Sequence, residues 1–171
     1  TQARLDTGYG TLHTTTAEFQ KALDLFNHGL SLWRELNNKK EEALMLASLS
    51  DLLHGMGDDE AGIKYSKESY DLAVKLNDPV IELNSMTVVT YGLVCAKKTD
   101  EARPMIKKAL KLAEELENLY IVFATHHMLG DCALMDGNYR ESERQYGMGL
   151  KTTLQYGDTS YSCAELLGVA M

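Results

Sequence analysis

The chain has 171 residues and a formal net charge of −8. Its 44% hydrophobic and 25% charged residues are an ordinary globular composition, which argues against disorder, and no stretch approaches the roughly 18 uninterrupted apolar residues of a membrane-spanning helix. An acidic chain repels phosphate backbones, so nucleic acid is not expected as a direct partner. No basic-then-apolar segment opens the sequence as a secretory signal would. Cys95, Cys132 and Cys163 are odd in number and sit in apolar helical pattern without a CxxC or Cys/His pairing. That usage fits a reduced, cytoplasmic setting and gives no reason to expect a metal or other cofactor. A start at Thr1 and an end inside an apolar run point to a piece of a larger protein.

Only two prolines, with Leu, Ala, Glu and Lys abundant, predict an all-helical chain. In chain order, residues 1–13 form a first helix weakened by Gly8, Gly10 and several threonines. A second begins near Ala17-Glu18-Phe19. Helices follow over 39–55 and 59–76, separated by Gly57-Asp58, a helix-stop glycine and an N-cap residue. The next covers 79–96, with Pro79 at its first position after Asp78. Lys97-Lys98-Thr99 then leads to a helix over 100–117, for which Asp100 is the expected N-cap and Pro104 falls in the first turn. Helices over 119–135 and 139–156 flank Gly137-Asn138, and residues 159–171 begin another, whose Leu166, Val169 and Ala170 would cover the preceding helix.

These helices repeat with a period of 40 residues. Leu36-Asn37-Asn38, Leu76-Asn77-Asp78, Leu116-Glu117-Asn118 and Tyr156-Gly157-Asp158 close four rows without an insertion. The rows are 1–38, 39–78, 79–118 and 119–158, with 159–171 a partial fifth, all within one repeat domain. One column reads Tyr9, Leu49, Val89, Leu129 and Val169, and the next is small: Gly10, Ser50, Thr90, Gly130, Ala170. Phe26, Ser66, Ile106 and Tyr146 form a third, followed by the small Gly29, Ser69, Ala109 and Gly149. Leu30, Tyr70, Leu110 and Leu150 come next, and Trp33, Ala73, Ala113 and Thr153 last. Spacings of three and four between columns put one apolar stripe on each helix, and no row can bury its stripe alone. A fixed period of this length predicts a stacked solenoid, usually a surface for binding rather than a pocket for chemistry.

Leu129-Gly130, Ala133, Gly137-Asn138-Tyr139, Ser142, Tyr146 and Gly149, with Ala102, Ile106 and Ala109 one row earlier, resemble the tetratricopeptide repeat. His126, Ala133 and Ser142 depart from the Trp, Tyr and Ala that the family prefers, and its closing proline is absent from every row. The resemblance covers essentially the whole chain. It implies an all-α, right-handed superhelical solenoid of antiparallel helix pairs, about four repeats plus a partial terminal helix. The long second helices, ending Leu76-Asn77-Asp78 and Leu116-Glu117-Asn118, look like the 40-residue repeats of bacterial signal-transduction ATPases and LuxR- or MalT-like regulators. Long repeats also occur in eukaryotic polarity scaffolds and peptide-pheromone receptors.

In the resembled family a concave groove is lined by the first helix of each pair. Register carries those slots to Leu44, Ala47, Asp51 and His54, to Asn84, Thr87, Tyr91 and Val94, and to Ala124, His127, Asp131 and Met135. Several lie off the core stripe and combine polar with aromatic character. Asn84, Tyr91, His127 and Asp131 can hydrogen-bond an extended peptide, and Asp51 and Asp131 favour a partner rich in basic or amide donors. No Gly-rich phosphate loop is present. Adjacent His126 and His127 diverge by about 100° on a helix and cannot share a metal. His127 and Asp131 share a face, a pairing expected to serve structure or recognition. No catalytic role is assigned. The expected function is a protein- or peptide-binding sensor module of a larger signalling or transcriptional regulator. The competing expectation is an architectural spacer that self-associates through its terminal helix.

Overall fold

A computed structural model describes residues 2–156. Cys163, Met171 and the expected helix over 159–171 lie outside the described residues. Eight helices account for nearly all of the rest: α1 Gln2–Thr15, α2 Phe19–Glu35, α3 Lys39–Gly55, α4 Asp59–Leu76, α5 Pro79–Cys95, α6 Thr99–Glu115, α7 Leu119–Met135 and α8 Tyr139–Tyr156. No strand occurs among the described residues. The chain divides into two compact units, residues 1–96 with α1–α5 and residues 97–171 with α6–α8.

α1 to α7 end the same way. Ala17, Asn37, Gly57, Asn77, Lys97, Glu117 and Gly137, spaced 20 residues apart, all have positive φ. At five of these ends the amide of the following residue donates back to a carbonyl five residues earlier, as Asn38 does to Trp33 at 3.0 Å and Asn118 to Ala113 at 2.8 Å. This left-handed stop satisfies carbonyls that the helix leaves orphaned. The next helix starts at once, and a side chain caps it in most cases. Asn38 accepts from the Glu41 amide at 3.3 Å, Asp58 from Ala61 at 3.1 Å and Asn118 from Ile121 at 3.1 Å. Asp78 accepts from Val80 and Ile81, and Pro79 occupies the first helical position as expected.

α6 departs from expectation. Thr99 is already helical, and Lys98 occupies the cap position without a side-chain bond, so Asp100 is not the N-cap. Pro104 consequently lies inside the helix rather than in its first turn, and the carbonyl four residues back loses its intrahelical donor. α1 extends beyond the expected 1–13 to Thr15.

Packing follows the columns. In the first unit, α3 lies against α2, α4 and α5, and Phe26, Leu30, Trp33, Met45, Leu46, Leu49 and Leu52 form a shared core with Ala3 and Ala22. Ser69, fully buried, donates to the Ala43 carbonyl at 2.7 Å and pairs with Ser85 at 2.8 Å, so one hydroxyl ties α4 to both α3 and α5. In the second unit α7 packs on α6 and α8. The amphipathic α6 buries little more than Ala102, Ile106, Ala109 and Ala113, whereas α7 buries residues nearly all round. Tyr9 breaks its column: it is 55% exposed while Leu49, Val89 and Leu129 are buried.

The small column sets how closely paired helices approach. A Cβ on Gly10 would lie 2.3 Å from the Phe26 ring, and one on Gly130 would lie 2.4 Å from the Tyr146 ring. Both rings are almost fully buried, so neither has room to retreat. Gly130→Ala is expected to cost ~1–3 kcal/mol of stability by overpacking, with Tyr146→Leu in the same chain restoring part of it. Urea unfolding measures both, and an unchanged midpoint for Gly130→Ala would remove this column as the determinant of the helix pair.

Candidate functional site

The first unit holds eight of the register-derived positions: Leu44, Ala47, Asp51 and His54 on α3, and Asn84, Thr87, Tyr91 and Val94 on α5. Asp51 is reached by solvent, and no hydrogen bond or ion pair engages its carboxylate. It stands at a cavity of about 210 Å³ lined by Thr11 and Thr14 from α1, Phe26 from α2, and Ser48 and Leu52 beside it on α3. Desolvation by the surrounding protein pushes its carboxyl up to about 6, a rise that the neighbouring His54 only partly offsets.

His54 is not a surface residue. Its side chain is 1% exposed, and Nδ1 lies 2.9 Å from Asp59 Oδ1 on α4. The ring fills the space left by two glycines. A Cβ on Gly62 would meet it at 2.6 Å and one on Gly92 would meet Nε2 at 2.3 Å. Nε2 itself is buried with no partner. The geometry suits the tautomer with the proton on Nδ1, since an unmet lone pair on Nε2 costs less than a buried N–H without an acceptor. His54 therefore fastens α3 to α4 and α5, a correction to its expected place in the groove. Ala47 and Val94, carried over by the same register, are also buried.

Asn84 and Thr87 are half-buried, and the Thr87 hydroxyl donates to the Leu83 carbonyl of its own helix at 2.9 Å. Tyr91 is 49% exposed and meets the His54 ring edge-on at 6.1 Å. Its phenol is pushed above the ordinary tyrosine range, first by a hydrogen bond to Cys95 and that thiol's charge, then by desolvation and by Asp51 and Asp59. Asp51, His54 and Tyr91 thus belong to one electrostatic neighbourhood on α3 and α5.

In the second unit, Asp131 is engaged rather than free. Its Oδ1 accepts from the Tyr146 hydroxyl at 2.5 Å, and its Oδ2 lies 3.1 Å from His127 Nδ1. The His127 ring lies 5.3 Å from that of Tyr146 and 6.2 Å from that of Phe123. This half-buried group joins α7 to α8, and the His127–Asp131 pairing on one face is the one expected from spacing. Met135 is 47% exposed, and Ala124 is half-buried. His126 points elsewhere, buried with Nδ1 2.8 Å from Gln145 Oε1. No group of His, Cys, Asp or Glu among the described residues is arranged to hold a metal ion.

Two features escaped the sequence. One is the ring of hydroxyls from Thr11, Thr14 and Ser48 beside Asp51, whose signal was the run of threonines in a helix that they weaken. The other is an open hollow of about 580 Å³ in the second unit, bordered by Val122, His126, Met148 and Thr152, where no register-derived residue falls.

Comparison with known proteins gives the fold context. No family model matches the chain. Tetratricopeptide repeat protein 29 of Trypanosoma brucei brucei is 23% identical over 154 residues, 89% of this chain and 32% of that protein. A crystal structure of a Rap protein complexed with Competence and Sporulation Factor superposes with a TM-score of 0.86 at 15% identity, covering 98% of this chain and 47% of the other. Aspartyl phosphate phosphatase F from Bacillus subtilis gives 0.80 at 14% identity, over 91% and 41%. A signal-transduction ATPase with a tetratricopeptide repeat sensor from Pyrococcus horikoshii gives 0.82 at 18% identity, over 96% and 25%. The chain spans about a third of the curated relative's length and half or less of these structures. Its fold is that of the tetratricopeptide repeat: all-α, built from helix pairs.

Because the raised carboxyl of Asp51 favours its neutral form in the folded chain, its contribution to stability is full below the unfolded value and is lost as pH rises through about 6. Asp51→Asn is expected to raise the melting temperature at pH 8 and to leave it nearly unchanged at pH 4. The gain is at most ~1 kcal/mol, since the carboxylate still touches solvent. Calorimetry at the two pH values checks the sign.

Proposed function

We propose that this tetratricopeptide-type repeat is a protein- or peptide-binding module, the sensing part of a larger regulator. The observation that carries the reading is the side chains that α3 and α5 leave outside the core: Asp51 unengaged, Asn84 and Thr87 half-buried, Tyr91 half-exposed. These side chains give that face acceptors, an amide and an aromatic ring that no neighbour in the fold uses up, which is what an extended partner segment needs. In the second unit Met135 adds an adaptable apolar contact, and His127 and Asp131 present a polar pair fixed by Tyr146.

The relatives support this direction. The Rap structure holds a bound factor, and the ATPase carries its repeats as a sensor. A sensor cut from such a protein has binding as its task and leaves chemistry to other domains. No helix among the described residues is long and apolar enough to cross a membrane.

The test is capture from a cell lysate, with the retained protein identified by mass spectrometry. The wild-type chain is compared with Asn84→Ala/Tyr91→Ala and with Met135→Ala. None of these three side chains closes a core, so helicity by circular dichroism should be unchanged. Loss of a specific partner by about tenfold or more in the double variant supports the module. Equal capture by all three chains, or no specific partner for any, leaves the spacer reading in its place.

A further inference from the structure

The cavity between α1 and α3 has a one-sided hydrogen-bonding character. The Thr11 hydroxyl donates to the Thr7 carbonyl at 2.9 Å, Thr14 to Gly10 at 3.0 Å and Ser48 to Leu44 at 3.2 Å. Each proton is therefore spent on its own helix, and what these oxygens turn outward is lone pairs. Asp51 adds a carboxylate, which in its ionised state only accepts. No Lys or Arg lines the cavity, and Asp51 has no ion-pair partner. Phe26 and Leu52, both almost fully buried, close its floor. The site is thus rich in acceptors, has an apolar floor and carries unneutralised negative charge.

A ligand complementary to this arrangement has only donors, a positive charge and a slender apolar stem. The lysine side chain has all three. Its ammonium offers three donors and no acceptor, and its four-carbon stem packs well on apolar surface. A guanidinium, planar and forked, matches a bidentate carboxylate better than hydroxyls dispersed over two helices. The net charge of −8 draws a basic segment toward the chain at long range.

We propose that the α1–α3 cavity is a lysine subsite, in which Asp51 takes the ammonium of a partner's extended segment and the stem lies over the floor that Phe26 and Leu52 close. This rests on the binding-module reading and names the chemistry of its partner. The unneutralised carboxylate is then a vacancy in the electrostatics of the unit that the partner fills, and the desolvation that raises the Asp51 carboxyl is offset once the ammonium arrives.

The probe is n-butylammonium, the lysine side chain without its backbone, titrated into the 15N-labelled chain and followed by NMR. The expected result is saturable shifts in the millimolar range confined to the amides around Thr11, Thr14, Ser48 and Leu52. Neutral 1-butanol should not reproduce them, and Asp51→Asn, its fold checked by its own 15N spectrum, should weaken them at least about tenfold. No saturable shifts with butylammonium, equal shifts with butanol, or an unchanged response in Asp51→Asn would each overturn the subsite. The two readings fail separately. If butylammonium binds through Asp51 while the lysate yields no specific partner, the subsite stands and the module falls. If a partner is captured but neither it nor butylammonium responds to Asp51→Asn, the module stands and the subsite falls.

Discussion

The constraint on which the rest depends is the left-handed residue that closes each of α1 to α7. Seven of them stand 20 residues apart among the described residues, and only Gly57 and Gly137 adopt that backbone without a steric penalty. Asn37 and Asn77 tolerate it through a short polar side chain, while Ala17, Lys97 and Glu117 are forced into it. The return for that strain is a fixed helix length. With the helices the same length to within a few residues, the stripe at each column meets its neighbour within a unit in the same rotational setting. Cores such as Phe26 against Gly10 and Tyr146 against Gly130 then recur in place.

Much of this was legible in the sequence because its signals are local. Asn38, Asp78 and Asn118 mark helix starts by chemistry alone, and α3, α5 and α7 begin where those residues predict. α6 was misjudged for the same reason: Lys98 has no side-chain acceptor to announce the boundary, and Asp100 imitates a cap from the second helical position. The buried columns were legible because period-40 identity averages over rows. Tyr9 was not: its column predicts burial, yet it is 55% exposed.

Burial at the register-derived positions was less legible, and His54 shows why. Its column continues as Val94 and Leu134, and the three differ in burial: His54 and Val94 are buried, Leu134 is 43% exposed. Register specifies the angle of a residue on its helix, not the depth of the neighbour facing it. His54 is drawn inward because Gly62 and Gly92 leave a gap and Asp59 offers an acceptor, a set of pairwise coincidences that no single column records. Asp131 likewise fits its slot, but the Tyr146 hydroxyl, placed by the small Gly130, holds one of its oxygens. Asp51 has no such neighbour, and that difference separates a surface carboxylate available to a ligand from one already committed to the fold.

Equal helix length also limits how such a chain can change. Adding one residue within a helix turns everything beyond it by about 100°, which would swing the apolar stripe off its neighbour and set each later small residue against the wrong side chain. Adding a whole helix–turn–helix unit turns nothing. Descendants of this sequence can therefore grow or shrink at little cost only in blocks of that size, and the unit of inheritance is the hairpin rather than the residue.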